Sequence, residues 1–337
     1  MSDQLDVRPG PAVLVGEAGE DWTGDAVFYE YSAAVDPLAV GAIAPVPVRR
    51  FPPGLHAGGP SRQVTLDLSA DLGLPYPATS PGLLASFLVI GPGDQVDTSP
   101  GGTSELYYCV RGRGHSEVAR ASAPAGTHRI PWAHGDVITL PAGCTTTHRA
   151  DPGDPEGALL YRVCDAPLLE YLGVTASEER FEPTRFDARV TSARLAEVEA
   201  APEAPGRSRI SVLLANRATP QTLTATHTLW AMVGVLPAGR VQRPHRHQSV
   251  ALDLITACSP GCYSLIGRQL DDDGNILDPQ RVEWEAAGAF VTPPGLWHSH
   301  HNESGRPAYL FPVQDAGLHT YLRSLDIRFS SAGPTDD

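Results

Sequence analysis

The sequence has few cysteines and no long apolar segment. Its five cysteines are an odd number, and the first residues, MSDQLDVRPG, are charged and lack the apolar core of an export signal. Thiols in such a chain are expected to be reduced, so we favour two free thiols on paired strands over a disulfide or a second metal site for Cys258 and Cys262. The longest apolar run, residues 83–91, is far too short to span a bilayer. We expect a cytoplasmic protein that does not bind membranes.

Positive charge is also scarce. The chain has 25 lysines and arginines against 39 aspartates and glutamates, which gives a formal net charge of −14. A protein of this charge has no basic surface to offer nucleic acids or anionic lipids, and we expect neither as a partner. The length of 337 residues is typical of about two domains.

Three histidines in the second half of the chain are spaced like metal ligands. His245 and His247 are one residue apart, so on a β-strand both side chains point to the same face. His298 follows about fifty residues later, in its own turn context. Glycines and prolines that suit turns and strand ends surround them, namely Gly239, Gly288, Pro293 and Gly295. The spacing predicts that the three imidazoles converge on one metal ion.

These spacings resemble the two signature motifs of the cupin barrel. The first half of the chain repeats them without the histidines: Ser99 and Gly101 stand for the first two ligands, and Thr146 stands for the third. Glu105 survives, but one carboxylate cannot hold a transition metal alone. We interpret His148 as structural or pocket-lining. The sequence therefore predicts an all-β bicupin, two double-stranded β-helix barrels joined by a short helical linker, with metal in the second barrel alone.

Composition and strand patterns predict the domain limits. The predicted parts are an N-terminal arm (1–80), a metal-free barrel (81–175), a linker (176–207), a metal-binding barrel (208–330) and a tail (331–337). The arm carries short strand-like segments and is expected to pack on a barrel or on a neighbouring subunit.

The predicted metal site contains no carboxylate. A glutamate usually follows the second histidine of the cupin motif by three or four residues, and here those positions are Ala251 and Leu252. Three neutral imidazoles suit Fe(II), and also Mn, Ni, Cu or Zn. A closed structural zinc site would need a fourth protein ligand, which the motif does not offer. Open metal positions are what a dioxygenase needs for a chelating substrate and dioxygen.

The stretch LWAMVGVLPAGRVQRPHRHQSVAL, together with GLWHSHHN, resembles gentisate 1,2-dioxygenase and the related salicylate and 1-hydroxy-2-naphthoate dioxygenases. That resemblance implies a homo-oligomeric bicupin that binds Fe(II) through three histidines and uses dioxygen to cleave aromatic rings, here in an extradiol-type reaction. When the roles in that family are transferred to the matching positions of this sequence, the metal ligands are His245, His247 and His298. Trp230 lines the pocket, and His300 is the catalytic histidine beside the substrate.

Several positions depart from that family. An arginine that binds the substrate carboxylate is Asp253 here, and an expected glutamine is Gly234. Because Asp253 would repel a carboxylate, we expect an aminophenol-, catechol- or hydroquinone-like substrate. An alternative is that Asp253 pairs with Arg246 or Arg281 and only shapes the pocket. Trp297 is a candidate for the apolar wall of the substrate site, whereas Phe290 is expected in the core.

Two other functions remain open at this point. One is a non-oxidative metallocupin, a hydrolase or isomerase in which the metal acts as a Lewis acid. The other is a binding or sensory module without turnover. Dependence on dioxygen separates the first alternative from a dioxygenase, and poor metal retention without turnover would favour the second.

Overall fold

A computed structural model describes residues 25–28, 30–34, 38, 41, 43–99, 101–120 and 122–331. The chain divides into two compact units, residues 1–45 and residues 46–337. In the first unit, the described residues include a 3-10 turn at Tyr31–Ala34. The second unit contains all strands and α-helices that follow.

The first half of the larger unit is mostly β-structure. Its strands are β1 (Arg50–Phe51), β2 (Arg62–Thr65), β3 (Leu84–Ile90), β4 (Gln95–Thr98), β5 (Ser104–Arg111), β6 (Arg113–Arg120), β7 (Ala123–Ala133), β8 (Val137–Pro141), β9 (Thr145–Ala150), β10 (Ala158–Cys164) and β11 (Thr184–Phe186). Its helices are the single turn α1 (Ser69–Leu72), α2 (Ala166–Leu172) and α3 (Ala188–Glu199). Short 3-10 turns lie at Pro53–His56 and Ala204–Gly206.

The second half repeats this pattern. Its strands are β12 (Ile210–Leu214), β13 (Trp230–Leu236), β14 (Val241–Arg246), β15 (Ala251–Ala257), β16 (Cys262–Gly267), β17 (Gln269–Leu270), β18 (Ile276–Leu277), β19 (Gln280–Glu283), β20 (Ala289–Thr292), β21 (Trp297–Asn302), β22 (Ala308–Gln314) and β23 (Arg328–Phe329). Helix α4 (Ala316–Leu322) follows β22 as α2 follows β10.

The strands form two barrels, each made of a pair of antiparallel sheets. The first barrel has the sheet orders β11-β8-β5-β10-β3-β2 and β4-β9-β6-β7. The second has β1-β20-β15-β22-β13-β12 and β19-β16-β21-β14-β23, with β17 and β18 as a separate ribbon. The predicted all-β, two-barrel fold is confirmed.

The predicted arm contributes to both barrels. Its strand β1 pairs with β20 of the second barrel, and β2 pairs with β3 of the first. Most of the arm before residue 43 lies outside the described residues. The predicted domain limits stay predictions.

Alternation along the strands builds a core inside each barrel and another between the barrels. On β5, Tyr107 points into the first barrel, whereas Tyr108 belongs to the core between the barrels. Tyr108 meets Phe311 of the second barrel with ring centroids 4.6 Å apart. On β15, Leu254 faces that shared core, and Ile255 faces the interior of the second barrel.

Helices occupy the connections, as the sequence predicts. Asp187 caps α3, accepting a hydrogen bond from the backbone N–H of Arg189 at 2.9 Å. Helix α4 ends at Leu322, where Arg323 adopts a left-handed conformation with φ 60°. The cysteines are free thiols. Within the described residues, no helix is long and apolar enough to span a membrane.

Candidate metal centre and substrate site

The three predicted ligands converge inside the second barrel. His245 on β14 is the direct cross-strand partner of His298 on β21, and His247 follows β14 by one residue. One ring nitrogen from each histidine lies within 4.8 Å of the other two. All three side chains are buried, with at most 3% of their surface exposed. The strand register, set by the two cupin-like motifs, brings the imidazoles together.

Hydrogen bonds fix the direction of each imidazole. His245 and His298 place Nδ1 at 3.2 and 3.0 Å from the backbone carbonyl two residues earlier, and His247 places it at 2.8 Å from the carbonyl two residues later. A carbonyl only accepts, so Nδ1 carries the proton and donates. The lone pair is therefore on Nε2, the atom left to bind a metal.

The electrostatic surroundings keep these rings neutral. Burial lowers the pKa of His245 and His298 well below 6.5, and the neighbouring histidines add to the effect. Burial also lowers the pKa of His247 to about 4, although its hydrogen bond to the Ser249 carbonyl acts the other way. Neutral imidazole is the form that ligates metals, so the donor set fits a transition-metal ion.

No acidic side chain joins this cluster in the described part of the chain. Ala251, at the position of the usual cupin glutamate, pairs across the sheet with Gln314. Gln314 accepts a hydrogen bond from the Ser249 hydroxyl at 2.9 Å, and that hydroxyl is also 3.0 Å from His247 Nδ1. The residues around His247 thus support its orientation and supply no fourth charged ligand.

His300 lies two residues beyond His298 on the same inward face of β21. Its ring centroid is 5.9 Å from that of His298 and 6.0 Å from that of His245. Its Nδ1 is 2.8 Å from the Ser264 hydroxyl, and that hydroxyl accepts a hydrogen bond from the Trp284 indole at 2.9 Å. His300 is therefore held beside the cluster of His245, His247 and His298.

Asp253 points into the second barrel from β15 and is 2% exposed. The Thr292 hydroxyl donates to its carboxyl group at 2.7 Å. Burial raises the pKa of Asp253 to about 6, and the Thr292 hydrogen bond and the charge of Arg209 act in the opposite direction.

Neither Arg246 nor Arg281, the two arginines named as alternative partners, is the arginine whose charge acts on Asp253; that arginine is Arg209. Arg246 lies over the Trp297 ring, with its guanidinium carbon 5.0 Å from the ring centroid. Arg281 is on the edge strand β19, where it pairs with Glu283. Alternation along β14 turns Arg246 away from the face that carries His245.

Strand parity also separates Trp297 from the predicted metal ligands. Trp297 is next to His298 on β21 and therefore points to the outer face of the sheet, where Arg246 covers it. His301 lies on that outer face too, stacked on Tyr263 with ring centroids 4.7 Å apart. The structure does not bring Trp297 to the histidines.

The other two predicted substrate residues lie on β13. Trp230 is half-buried and is the cross-strand partner of Gln314, which contacts Ser249 beside His247. Gly234 is buried, and a Cβ there would lie 2.8 Å from the Ser211 hydroxyl of β12. The glycine therefore allows β12 to approach β13 closely.

Sequence reasoning missed several residues of the site. Arg209, half-buried just before β12, lowers the pKa of all four inward histidines through its positive charge. Gln242 is buried with its side-chain nitrogen 3.5 Å from His245 Nε2. No local motif marks either residue, because a single arginine or glutamine carries no spacing signal.

Phe329 on the C-terminal strand was also missed. β23 pairs with β14 so that Phe329 lies directly opposite His245, and the two rings stack with centroids 5.6 Å apart. Phe329 remains 44% exposed. It therefore forms part of the rim of the site, although the sequence places it more than eighty residues from its histidine partner.

The first barrel has hydroxyl groups where the second has histidines. Thr98 pairs with Thr146 across β4 and β9, as His245 pairs with His298. Thr98 therefore occupies the place that motif spacing assigned to Ser99. A β-bulge between Gln242 and His245 inserts a residue that β4 does not have, which explains the difference of one position.

Comparisons with known proteins agree with this architecture. No protein-family model matches the chain. A curated relative named gentisate 1,2 dioxygenase 1, from Aquipseudomonas alcaligenes, is 26% identical over 145 residues, which span 42% of this chain and 38% of the relative. The matched segment thus covers well under half of either protein.

Among solved structures, salicylate 1,2-dioxygenase from Pseudaminobacter salicylatoxidans superposes with a TM-score of 0.61 at 15% identity, covering 80% of each chain. A structure of that enzyme described as adducts with gentisate gives a TM-score of 0.60 over 82% of this chain and 79% of that one, at 15% identity. Procruciferin, an 11S globulin from Brassica napus, gives 0.54 at 11% identity over 85% and 87% of the two chains. At these identities the structural likeness establishes the fold, and the site itself must carry the argument for function.

Proposed function

We propose that this protein is a non-haem Fe(II) dioxygenase that uses dioxygen to cleave a carbon–carbon bond in the ring of an electron-rich hydroxylated aromatic compound. The main support is the cluster of three buried, neutral imidazoles whose Nε2 atoms carry lone pairs that can bind one metal. The segment match to a gentisate dioxygenase and the fold match to a salicylate dioxygenase agree with this proposal.

His245, His247 and His298 would hold the iron through Nε2. Bound Fe(II) would supply the electron donation that activates dioxygen, and its remaining positions would accept a chelating substrate. With three protein ligands, the site leaves more positions open than a closed structural zinc site does. The carbonyls that accept from each Nδ1 would keep the imidazoles aimed at the metal.

The charges around the site favour a substrate without a carboxylate. Arg209 and Asp253 interact electrostatically, and each offsets the charge of the other. A substrate carboxylate would have to draw Arg209 away from Asp253 and then face the buried carboxyl group itself. A phenolic hydroxyl or an amino group can instead donate a hydrogen bond to Asp253, so we propose an aminophenol-, catechol- or hydroquinone-like substrate.

Dioxygen uptake by the Fe(II)-reconstituted protein tests the reaction. The panel contains catechol, hydroquinone and aminophenols, with gentisate and salicylate as carboxylate counterparts. We expect uptake with the neutral or amino compounds, little with the acids, and none with His298→Ala. Uptake with gentisate alone would refute the role given to Asp253. Tightly held iron without uptake on any compound would favour a non-oxidative metallocupin.

Asp253→Asn tests the substrate contact more directly. If Asp253 accepts a hydrogen bond from the substrate, the variant should bind the best panel compound more weakly, about tenfold, which corresponds to loss of about 1.4 kcal/mol. Thr292→Val is the matched control, because it removes a neighbour of Asp253 but keeps the carboxyl group. Unchanged affinity in Asp253→Asn would contradict the proposal.

A further inference from the structure

We propose that Ser264 and Trp284 are positioning residues that fix the proton of His300 on Nε2, which turns this histidine into a hydrogen-bond donor facing the metal site. The inference rests on the proposed function and deepens it. It concerns residues for which the family resemblance gives no role.

The direction of each hydrogen bond follows from the chemistry of the groups. The Trp284 indole N–H can only donate, so the Ser264 oxygen accepts it at 2.9 Å. Ser264 is completely buried, and its own hydroxyl proton therefore needs an acceptor. Among the described residues, His300 Nδ1, 2.8 Å away, is the acceptor within reach. Nδ1 of His300 thus carries the lone pair, and Nε2 carries the proton.

The strand order sets where that proton points. β21 lies between β16, which carries Ser264, and β14, which carries His245. Because Nδ1 of His300 is bound on the β16 side, Nε2 lies on the side of the ring that faces the metal-binding histidines. No hydrogen-bond partner of this Nε2 occurs in the part of the chain that the structure describes. Its N–H is therefore available to a bound substrate oxygen or to dioxygen.

The first barrel contains the same hydrogen-bonded series of tryptophan, serine and histidine in the same strand register. Trp132 donates to the Ser116 hydroxyl at 3.0 Å, and that hydroxyl is 2.8 Å from His148 Nδ1. Ser116 lies directly opposite His148 across the sheet, as Ser264 lies opposite His300. The arrangement thus belongs to the frame of both barrels and does not depend on a metal.

The two barrels differ in what faces Nε2. In the first barrel, Nε2 of His148 is 3.2 Å from the Thr98 hydroxyl, which stands where His245 stands in the second. The Nε2–H of His148 is therefore hydrogen-bonded to another side chain of the protein. Replacing the threonine by a metal ligand leaves the N–H of His300 free for chemistry, where a preorganised donor stabilises negative charge that develops on oxygen.

Nitrogen-15 NMR of the metal-free protein tests the tautomer without any turnover. Two-bond nitrogen–proton correlations distinguish a histidine protonated on Nε2 from one protonated on Nδ1, and His300→Gln assigns the signal. We expect the Nε2–H form in the wild type and a mixture or the Nδ1–H form in Ser264→Ala. Trp284→Phe, which frees the serine hydroxyl to turn, should give a mixture as well. An unchanged Nε2–H signal in both variants would overturn the proposal.

Steady-state kinetics of the iron-loaded enzyme give the second readout. Ser264→Ala should lower kcat at least tenfold with KM changed less than threefold, and Ser264→Thr should restore most of it, because the hydroxyl is retained. Ser116→Ala is the matched control, since it breaks the same chain in the first barrel, and it should leave both kcat and the His300 signal unchanged. An equal loss of kcat in Ser116→Ala would make the effect structural and refute the positioning role. Because the NMR result needs neither iron nor substrate, it stands or falls separately from the proposed reaction.

Discussion

The buried carboxyl group of Asp253 should contribute to the pH dependence of this protein's stability, and Asp253→Asn should remove that contribution. Its pKa is raised from 3.8 to about 6, chiefly by burial. The folded state therefore binds the Asp253 proton more tightly than the unfolded chain does. The stability that this proton contributes is fully present below pH 3.8 and is lost as the pH rises through 6.

The size of this effect follows from the shift. A change of about two pKa units corresponds to about 3 kcal/mol. Asp253→Asn cannot ionise, so the difference in free energy of unfolding between variant and wild type should change in favour of the variant by up to about 3 kcal/mol between pH 4 and pH 8. Most of that change should occur by pH 6. Subtracting the wild-type curve cancels all other titrating groups.

Urea unfolding at intervals of half a pH unit measures this difference. Thr292→Val provides a directional check. Loss of the Thr292 hydrogen bond to the carboxylate removes an influence that lowers the pKa of Asp253. In Thr292→Val, the pH range over which Asp253 lowers the stability should therefore lie higher than in the wild type. If the difference in free energy of unfolding between Asp253→Asn and wild type stays constant from pH 4 to pH 8, the reasoning is refuted, because Asp253 would then have the same pKa in the folded and unfolded states.

Three further outcomes follow from the geometry. His298→Ala should bind less than one tenth of the iron that the wild type retains after gel filtration, because two imidazoles remain; full retention measured by metal analysis would contradict the ligand assignment. Phe329→Ala should raise KM for an aromatic substrate several-fold with a smaller change in kcat, since Phe329 borders the site beside His245; identical kinetics would exclude that contact. Phe311→Ala should cost about 3–5 kcal/mol of stability and lower the midpoint of one common thermal transition, because Phe311 packs on Tyr108 of the other barrel; two separate calorimetric transitions would show that the barrels unfold independently.

The cluster of three histidines could be predicted because its members are encoded locally. His245 and His247 share a strand face by simple alternation, and turn-forming glycines and prolines mark the position of His298. The same reasoning placed Trp297 near the substrate without applying alternation to it. Since Trp297 adjoins an inward histidine, it points outward and stacks under Arg246.

Other parts of the site depend on contacts between distant segments. Arg209 lies just before β12, and Phe329 lies on β23, after α4. Neither residue is near the histidine motifs in the sequence, so neither has a local signature. The series of hydrogen bonds from Trp284 through Ser264 to His300 was detectable only by comparing the two halves of the sequence. Trp132 and Trp284 each precede the motif proline by nine residues, and His148 and His300 each follow it by seven. That repeat predicts equivalent places in the two barrels.

The two barrels differ in the side chains that fill their interiors. In register, Tyr107 and its partner Arg162 occupy the places of Asp253 and Pro312. Arg162 donates to Glu105 at 2.8 Å, and the Tyr107 hydroxyl also donates to that carboxylate and lies 3.0 Å from Thr98. These large side chains satisfy one another inside the barrel. The second barrel has the smaller residues Ala251, Asp253 and Pro312 at the corresponding positions, so the Arg162–Glu105 ion pair has no counterpart at these positions. The histidines of the second barrel keep lone pairs on Nε2 that can bind a metal.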